Sequence, residues 1–199
     1  MEKTVLLVLL DQYADWEAAY VASGILALGQ GRFRVKTVSA ARESIRSLGG
    51  LTTLPDYDAP SAPADFAGLL LIGGTSWKSA AAQRLKPLVE SALQNGRVLG
   101  GICAASAYLG ELGVLNHVRH TSNDLEDLKQ RAGAAYTGEA NYLRRQAVRD
   151  GGIVTANGTA ALEFAREVLL ALEAAPESKI DEWYNFHKLG CYEAVMPLM

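Results

Sequence analysis

Cys103 stands where an apolar run meets a string of small helix formers, in the stretch Arg97-Val-Leu-Gly-Gly-Ile-Cys103-Ala-Ala-Ser-Ala. A nucleophile placed between strand and helix, with small neighbours, has the pattern of a nucleophile elbow. The turn is tight, so the residues two before and two after the nucleophile must be small. Here they are Gly101 and Ala105. Backbone N–H groups and the dipole of the following helix stabilise a thiolate at such a position. The N–H of Ala104 would face an oxyanion formed on a bound carbonyl. These features predict that Cys103 titrates well below an ordinary thiol. An inert cysteine filling a gap in the core is the alternative, and the strand-to-helix setting favours a functional thiol. Cys191 has no comparable setting.

Other chemistry is sparse. Trp77 follows the Gly73-Gly74 turn and is a candidate pocket wall, as are Trp16 and Trp183, for which core packing is the favoured role. Neither a Lys-Ser/Thr partner nor a GxGxxG pattern accompanies the Gly73-Gly74 turn, so no nucleotide cofactor is expected there. No His, Cys, Asp and Glu cluster has metal-ligand spacing, and no metal is expected.

The elements that must position Cys103 alternate. Thr4–Leu10 is a continuous run rich in Val and Leu, which reads as a strand buried on both faces. Phe33–Ser39, Gly68–Ile72 and Val98–Ile102 read as further strands. Helical spacing covers Trp16–Leu28, Pro87–Gln94, Ala104–Leu112, Asp124–Gln130, Ala160–Leu172 and Asp181–Leu189. Ser122 or Asn123 fits the start of the helix at Asp124. The Gly-punctuated segment Ser44–Thr53 reads as a short hairpin. Ala147–Arg149 and Ile153–Ala156 flank Asp150-Gly151-Gly152 and read as a second hairpin. Pro55, Pro60 and Pro63 mark a long loop. Strands alternating with helices imply a mostly parallel sheet with helices on both faces. Ligands in such sheets bind outside the carboxyl ends of the strands. That rule points at Asp11–Glu17, Gly73–Trp77 and the turn at Cys103.

The 199 residues suit one domain over 1–199. About half the residues are apolar (49%), enough for one substantial core. A formal net charge of −3 argues against a nucleic-acid partner. Arg144 and Arg145 adjoin, and they read as a solvated surface pair. The apolar run Thr4–Leu10 is too short for a signal segment or a membrane span. Only two cysteines are present, so a reducing cytoplasm is the expected compartment.

Four segments together resemble the ThiJ/PfpI superfamily, within the class I glutamine amidotransferase-like fold. They are Asp11–Glu17 (DQYADWE), the strand with Gly73-Gly74 (LLLIGGTSW), the elbow (GGICAAS) with the Gly113-Val-Leu that follows, and Thr155–Leu170 (TANGTAALEFAREVLL). The resemblance implies a flavodoxin-like sandwich, usually a homodimer. It implies that Glu17 is the acidic residue beside the cysteine, and that Gly74 and Ala104 supply oxyanion-type backbone donors. A carboxyl beside a thiolate is disfavoured as a charge. A protonated Glu17 could then donate a hydrogen bond to the sulfur. Without the resemblance, Glu17 reads as a surface glutamate in a first helical turn.

Two departures bear on activity. Protease-like members carry His directly after the nucleophile, where this chain has Ala104, so peptidase activity is not expected. Other members place a His after the elbow helix. Counting from Gly113-Val-Leu, that place falls on Asn123, with His120 three residues earlier. His120 would ionise Cys103 further if its loop bends toward the thiol. The bland alternative is a loop histidine bonded to backbone.

The function expected from these residues is a cysteine-dependent hydrolase or lyase, glyoxalase- or deglycase-like, acting on a small carbonyl or amide substrate. A non-turnover redox or electrophile sensor would use the same thiol. A small-molecule binding module on this fold is a third possibility, and it would tolerate loss of the thiol.

Overall fold

The computed structural model describes residues 2–194. Strand β1 (Lys3–Val8) lies inside a seven-stranded sheet, between β2 (Phe33–Ser39) and β6 (Gly68–Leu71). The others are β5 (Tyr57–Asp58), β7 (Val98–Ile102), β8 (Ala147–Asp150) and β9 (Ile153–Ala156), in the spatial order β5-β2-β1-β6-β7-β9-β8. Every neighbouring pair is parallel except β8 with β9. Strands β3 (Ile45–Arg46) and β4 (Thr52–Thr53) form a separate antiparallel pair.

The apolar run of β1 has the predicted cause. Val5, Leu7 and Leu9 belong to the core on one face of the sheet, and Leu6, Val8 and Leu10 to the core on the other. Alternate side chains of a strand point to opposite faces, so a strand buried on both must be apolar throughout. One face is covered by α1 (Asp15–Gly29), α6 (Ala161–Ala171) and α7 (Glu177–Leu189), through Ile25, Phe164 and Trp183. The other is covered by α2 (Ala80–Gln83), α3 (Lys86–Gln94), α4 (Ala104–Glu111) and α5 (Leu125–Ala132), through Ala82, Val89, Tyr108 and Leu128. This is the parallel sheet with helices on both faces expected from the alternation, and the flavodoxin-like α/β architecture implied by the resemblance.

Both predicted hairpins are present. Three local expectations need correction. The proline-marked loop contains β5 and a 3-10 turn at Ala59–Ser61, both too short to leave a periodic signal. Helix α7 begins at Glu177 rather than Asp181, because Pro176 precedes a complete extra turn. Helix α5 is capped by Asp124 itself, whose Oδ1 accepts from the N–H groups of Glu126 (2.9 Å) and Asp127 (3.0 Å). Satisfying two otherwise unpaired N–H groups this way makes an acidic cap effective.

The carboxyl ends of β1, β6 and β7 lie side by side, with Leu71 opposite both Val8 and Gly101. The turns that follow these strands carry Glu17, Gly73 and Cys103.

Candidate active site

Cys103 directly follows β7 and is the N-cap of α4, with φ 58° and ψ −129°. Positive φ is strained for a residue with a Cβ. The surrounding backbone holds it there. Its N–H donates to Ala156 O at 2.9 Å, and its carbonyl accepts from the N–H of Ser106 at 3.1 Å and from Ser106 Oγ at 2.6 Å. Helix α4 closes tightly on the strand, since a Cβ at Gly101 would lie 2.7 Å from Leu109 Cδ1. The small residue demanded by the elbow is thus a steric requirement of α4 packing.

Glu17 is fully buried in the first turn of α1. The loop ahead of it is tied to the Gly73 turn, with the Ala14 N–H donating to Gly73 O at 3.0 Å. The Gly73 N–H in turn donates to Glu17 Oε2 at 2.8 Å. Glu17 Oε1 is buried with no hydrogen-bond partner among the described residues. It lies on the side of Cys103: a Cβ built on Gly158 would meet Cys103 Sγ at 2.9 Å and Glu17 Oε1 at 3.2 Å. A Cβ on Gly73 would collide with Glu17 Oε2 and lie 2.6 Å from Cys103 Cβ. The carboxyl and the thiol are therefore packed between two glycines.

Burial pushes the Glu17 carboxyl up to about 7, against the opposing pull of the neighbouring Cys103 thiol and of the Gly73 N–H. Burial also pushes the Cys103 thiol up, and the Glu17 charge adds to this; hydrogen bonds from Asn123 and the Ala104 backbone pull it back. The expected depression of the thiol far below its ordinary value is thus corrected. The sequence revealed the helix N-terminus but not the burial of the sulfur against a carboxyl. Two groups so placed titrate as a pair. The carboxyl is raised to about 7, and the thiol is held above its ordinary value.

Asn123 contacts the sulfur directly. Its Nδ2 donates to Cys103 Sγ at 3.3 Å, and its Oδ1 accepts from the Gly158 N–H at 2.8 Å. His120 is not brought to the thiol. It is fully buried, with Nδ1 bonded to Val118 O at 2.8 Å and Nε2 to Tyr136 Oη at 2.7 Å. Burial lowers its pKa, which keeps the ring neutral. The loop turns His120 inward, into a nest with Tyr136 and Tyr142. Trp77 is also a core residue rather than a pocket wall. It is 1% exposed, stacks at a tilt on Tyr108 and donates from Nε1 to Ile72 O at 2.7 Å. Trp183 is likewise buried. The Gly74 N–H has no acceptor among the described residues, which leaves it free to donate.

Gly158 was not singled out by sequence, and Trp16 only as a candidate pocket wall. Gly158, a lone glycine after Asn157, reads as an ordinary turn, yet it closes the second side of the thiol–carboxyl pair. Trp16 is half exposed, and its Nε1 donates to Gly158 O at 3.2 Å, bridging α1 to the β9–α6 loop. An adjoining cleft of about 360 Å³ is lined by Asn123, Asp124, Tyr142, Arg144, Arg145 and Asn157, among others. Among the described residues, no group of three or more His, Cys, Asp or Glu side chains is placed to hold a metal. No described helix is long and apolar enough to cross a membrane.

The DJ-1/PfpI family model matches residues 3–171, and the chain belongs to that family. Over 194 residues it is 37% identical to an uncharacterized protease, YdeA, of Bacillus subtilis (strain 168), covering 96% of this chain and 93% of the relative. A thiJ/pfpI family protein from Bacillus anthracis superposes with a TM-score of 0.86 at 33% identity, covering 94% of this chain and 91% of that one. A DJ-1 superfamily protein from Agrobacterium tumefaciens gives a TM-score of 0.82 at 34% identity, covering 94% and 99%.

Proposed function

We propose that the chain is a cysteine-dependent enzyme acting on a small carbonyl or amide substrate, with Cys103 as nucleophile and Glu17 as proton carrier. The reading rests chiefly on one observation: the buried Glu17 Oε1 faces the sulfur and has no other partner among the described residues. A buried polar atom left unpaired is costly, and a proton shared with Sγ would relieve that cost.

In the first step the sulfur adds to the carbonyl carbon. An S–C bond forms, and the carbonyl π pair moves to oxygen. The N–H groups of Ala104 and Gly74 receive the developing oxyanion. The proton held between Cys103 and Glu17 then passes to that oxygen, giving a neutral adduct. With a 2-oxoaldehyde, the ionised Glu17 then takes the C–H proton of the adduct and returns it to the neighbouring carbon through an enediol, leaving a thioester that water hydrolyses to a 2-hydroxy acid and the free thiol.

Peptide cleavage fits poorly. Ala104 stands directly after the nucleophile, where the protease-like members that this chain resembles carry a His. The name of the Bacillus subtilis relative does not alter that difference.

A redox or electrophile sensor is the second reading, favoured by the partial exposure of Cys103. Turnover separates the two. A panel of small aldehydes and amides should show many product molecules per chain with the wild type and none with Cys103→Ser. Consumption of one equivalent followed by arrest would favour the sensor. Members of the family are often homodimers, and we take this chain to be a cytoplasmic homodimer acting on a small molecule.

A further inference from the structure

We infer that the cleft beside the thiol is a subsite for a carboxylate, so that the preferred substrate is a small carbonyl compound carrying one negative charge. The inference rests on the proposed role of Cys103 and narrows its substrate class.

Asn123 joins the two places. Its Nδ2 touches the sulfur, while its exposed side chain also lines the cleft. Arg144 and Arg145 line the same cleft, and neither guanidinium has an ion pair or a hydrogen-bond acceptor among the described residues. Arg131, Arg149 and Arg166 are each bonded to a carboxylate. Arg42, Arg46 and Arg84 are unpaired as well among the described residues, so Arg144 and Arg145 are set apart by lining a cleft that reaches Asn123.

The segment that carries the pair is fixed. The Leu143 N–H donates to His120 O at 2.8 Å, Thr121 Oγ1 to Arg145 O at 3.0 Å, and the Asn157 N–H to Gln146 O at 3.1 Å. These bonds tie residues 143–146 to the strand-end loops on both sides of the thiol. The buried His120, unused in the chemistry, thereby holds the arginine segment against Asn123.

Charge selects the ligand. Two arginines and Asp124 give the lining a net charge of about +1, which matches one carboxylate better than a phosphate dianion. Asn157 and Tyr142 add neutral polar groups. A guanidinium binds a carboxylate with directed, charge-assisted hydrogen bonds.

A matched pair of alkylating reagents tests the subsite. Iodoacetate and iodoacetamide react with a thiolate in the same way, and differ in one carboxylate. Rates would be measured in a Cys191→Ser background, since Cys191 is exposed. The ratio of the iodoacetate rate to the iodoacetamide rate should fall about three- to tenfold in Arg144→Gln/Arg145→Gln, an effect that 1 M salt suppresses. Lys86→Gln/Arg149→Gln, which removes the same charge from surface ion pairs elsewhere, should leave the ratio in place. An unchanged ratio in Arg144→Gln/Arg145→Gln would overturn the subsite. The ratio is defined at any absolute rate. A slowly reacting Cys103 would therefore count against the enzyme reading and still leave the cleft tested.

Discussion

Gly73 donates its N–H to Glu17 Oε2 at 2.8 Å, from a position where a Cβ would strike both that oxygen and the Cβ of Cys103. One residue thus orients the carboxyl and makes room for it beside the thiol. Gly73→Ala should displace Glu17 from Cys103 and cost about 2–4 kcal/mol of stability, as overpacking of a closed site does. Urea unfolding measures the cost, and alkylation of the folded fraction measures the lost coupling. A variant of unchanged stability and reactivity would show that the site has slack there.

Glu17 makes stability depend on pH in a definite direction. Its pKa is raised in the fold from 4.5 to about 7, so the native state favours the neutral acid. The resulting stabilisation is fully present below about pH 4.5 and is lost as pH rises through 7. The shift corresponds to about 3 kcal/mol. Glu17→Gln should abolish this slope and unfold at higher temperature than the wild type at pH 8. His120 acts in the opposite sense, because its lowered pKa removes stability as pH falls. The difference between wild type and Glu17→Gln therefore isolates the glutamate. Calorimetry at pH 5 and pH 8 reads it, and parallel wild-type and variant curves would contradict the buried, neutral carboxyl.

Asn123 should govern reactivity more than stability. Its Nδ2 bond favours a charged sulfur, and its side chain is exposed. Asn123→Ala should slow Cys103 alkylation at pH 7.5 about three- to tenfold, the effect of one hydrogen bond to a charged group, with less than ~1 kcal/mol lost in urea. Asn123→Asp, which sets a negative charge beside the sulfur, should slow it further. Equal rates in all three proteins would remove Asn123 from the chemistry.

His120 should behave in the opposite way. It is fully buried, with both ring nitrogens bonded. His120→Ala leaves a cavity and an unpaired Tyr136 hydroxyl, so about 2–4 kcal/mol should be lost. The pH profile of Cys103 alkylation in the folded variant should keep its shape. A displaced profile would show that the histidine acts on the thiol.

The contrast between these residues shows what the sequence could reveal. Burial on both faces of β1 was legible because an unbroken apolar run has few other uses. The elbow was legible because its steric demands fall on fixed positions, Gly101 and Ala105. Asn123 could be located only by counting along a resembling family. His120 drew attention by its residue type, but its fate depended on which way a loop turns, and the partner that captures it, Tyr136, lies sixteen residues away. Gly158 left no signal, since its importance lies in what a side chain would strike. Arg144 and Arg145 read as solvated surface. Only the folded chain sets them beside Asn123.

The pH profile of Cys103 alkylation by iodoacetamide, in the Cys191→Ser background, tests the central claim most directly. If thiol and carboxyl share a proton, reactivity should rise with an ionisation near pH 7 and rise again above the ordinary thiol value of ~8.5, and Glu17→Gln should reduce the two steps to one. A single step in the wild type at or above ~8.5, with none near 7, would mean that the first charge resides on Glu17 alone and that the sulfur is an ordinary buried thiol.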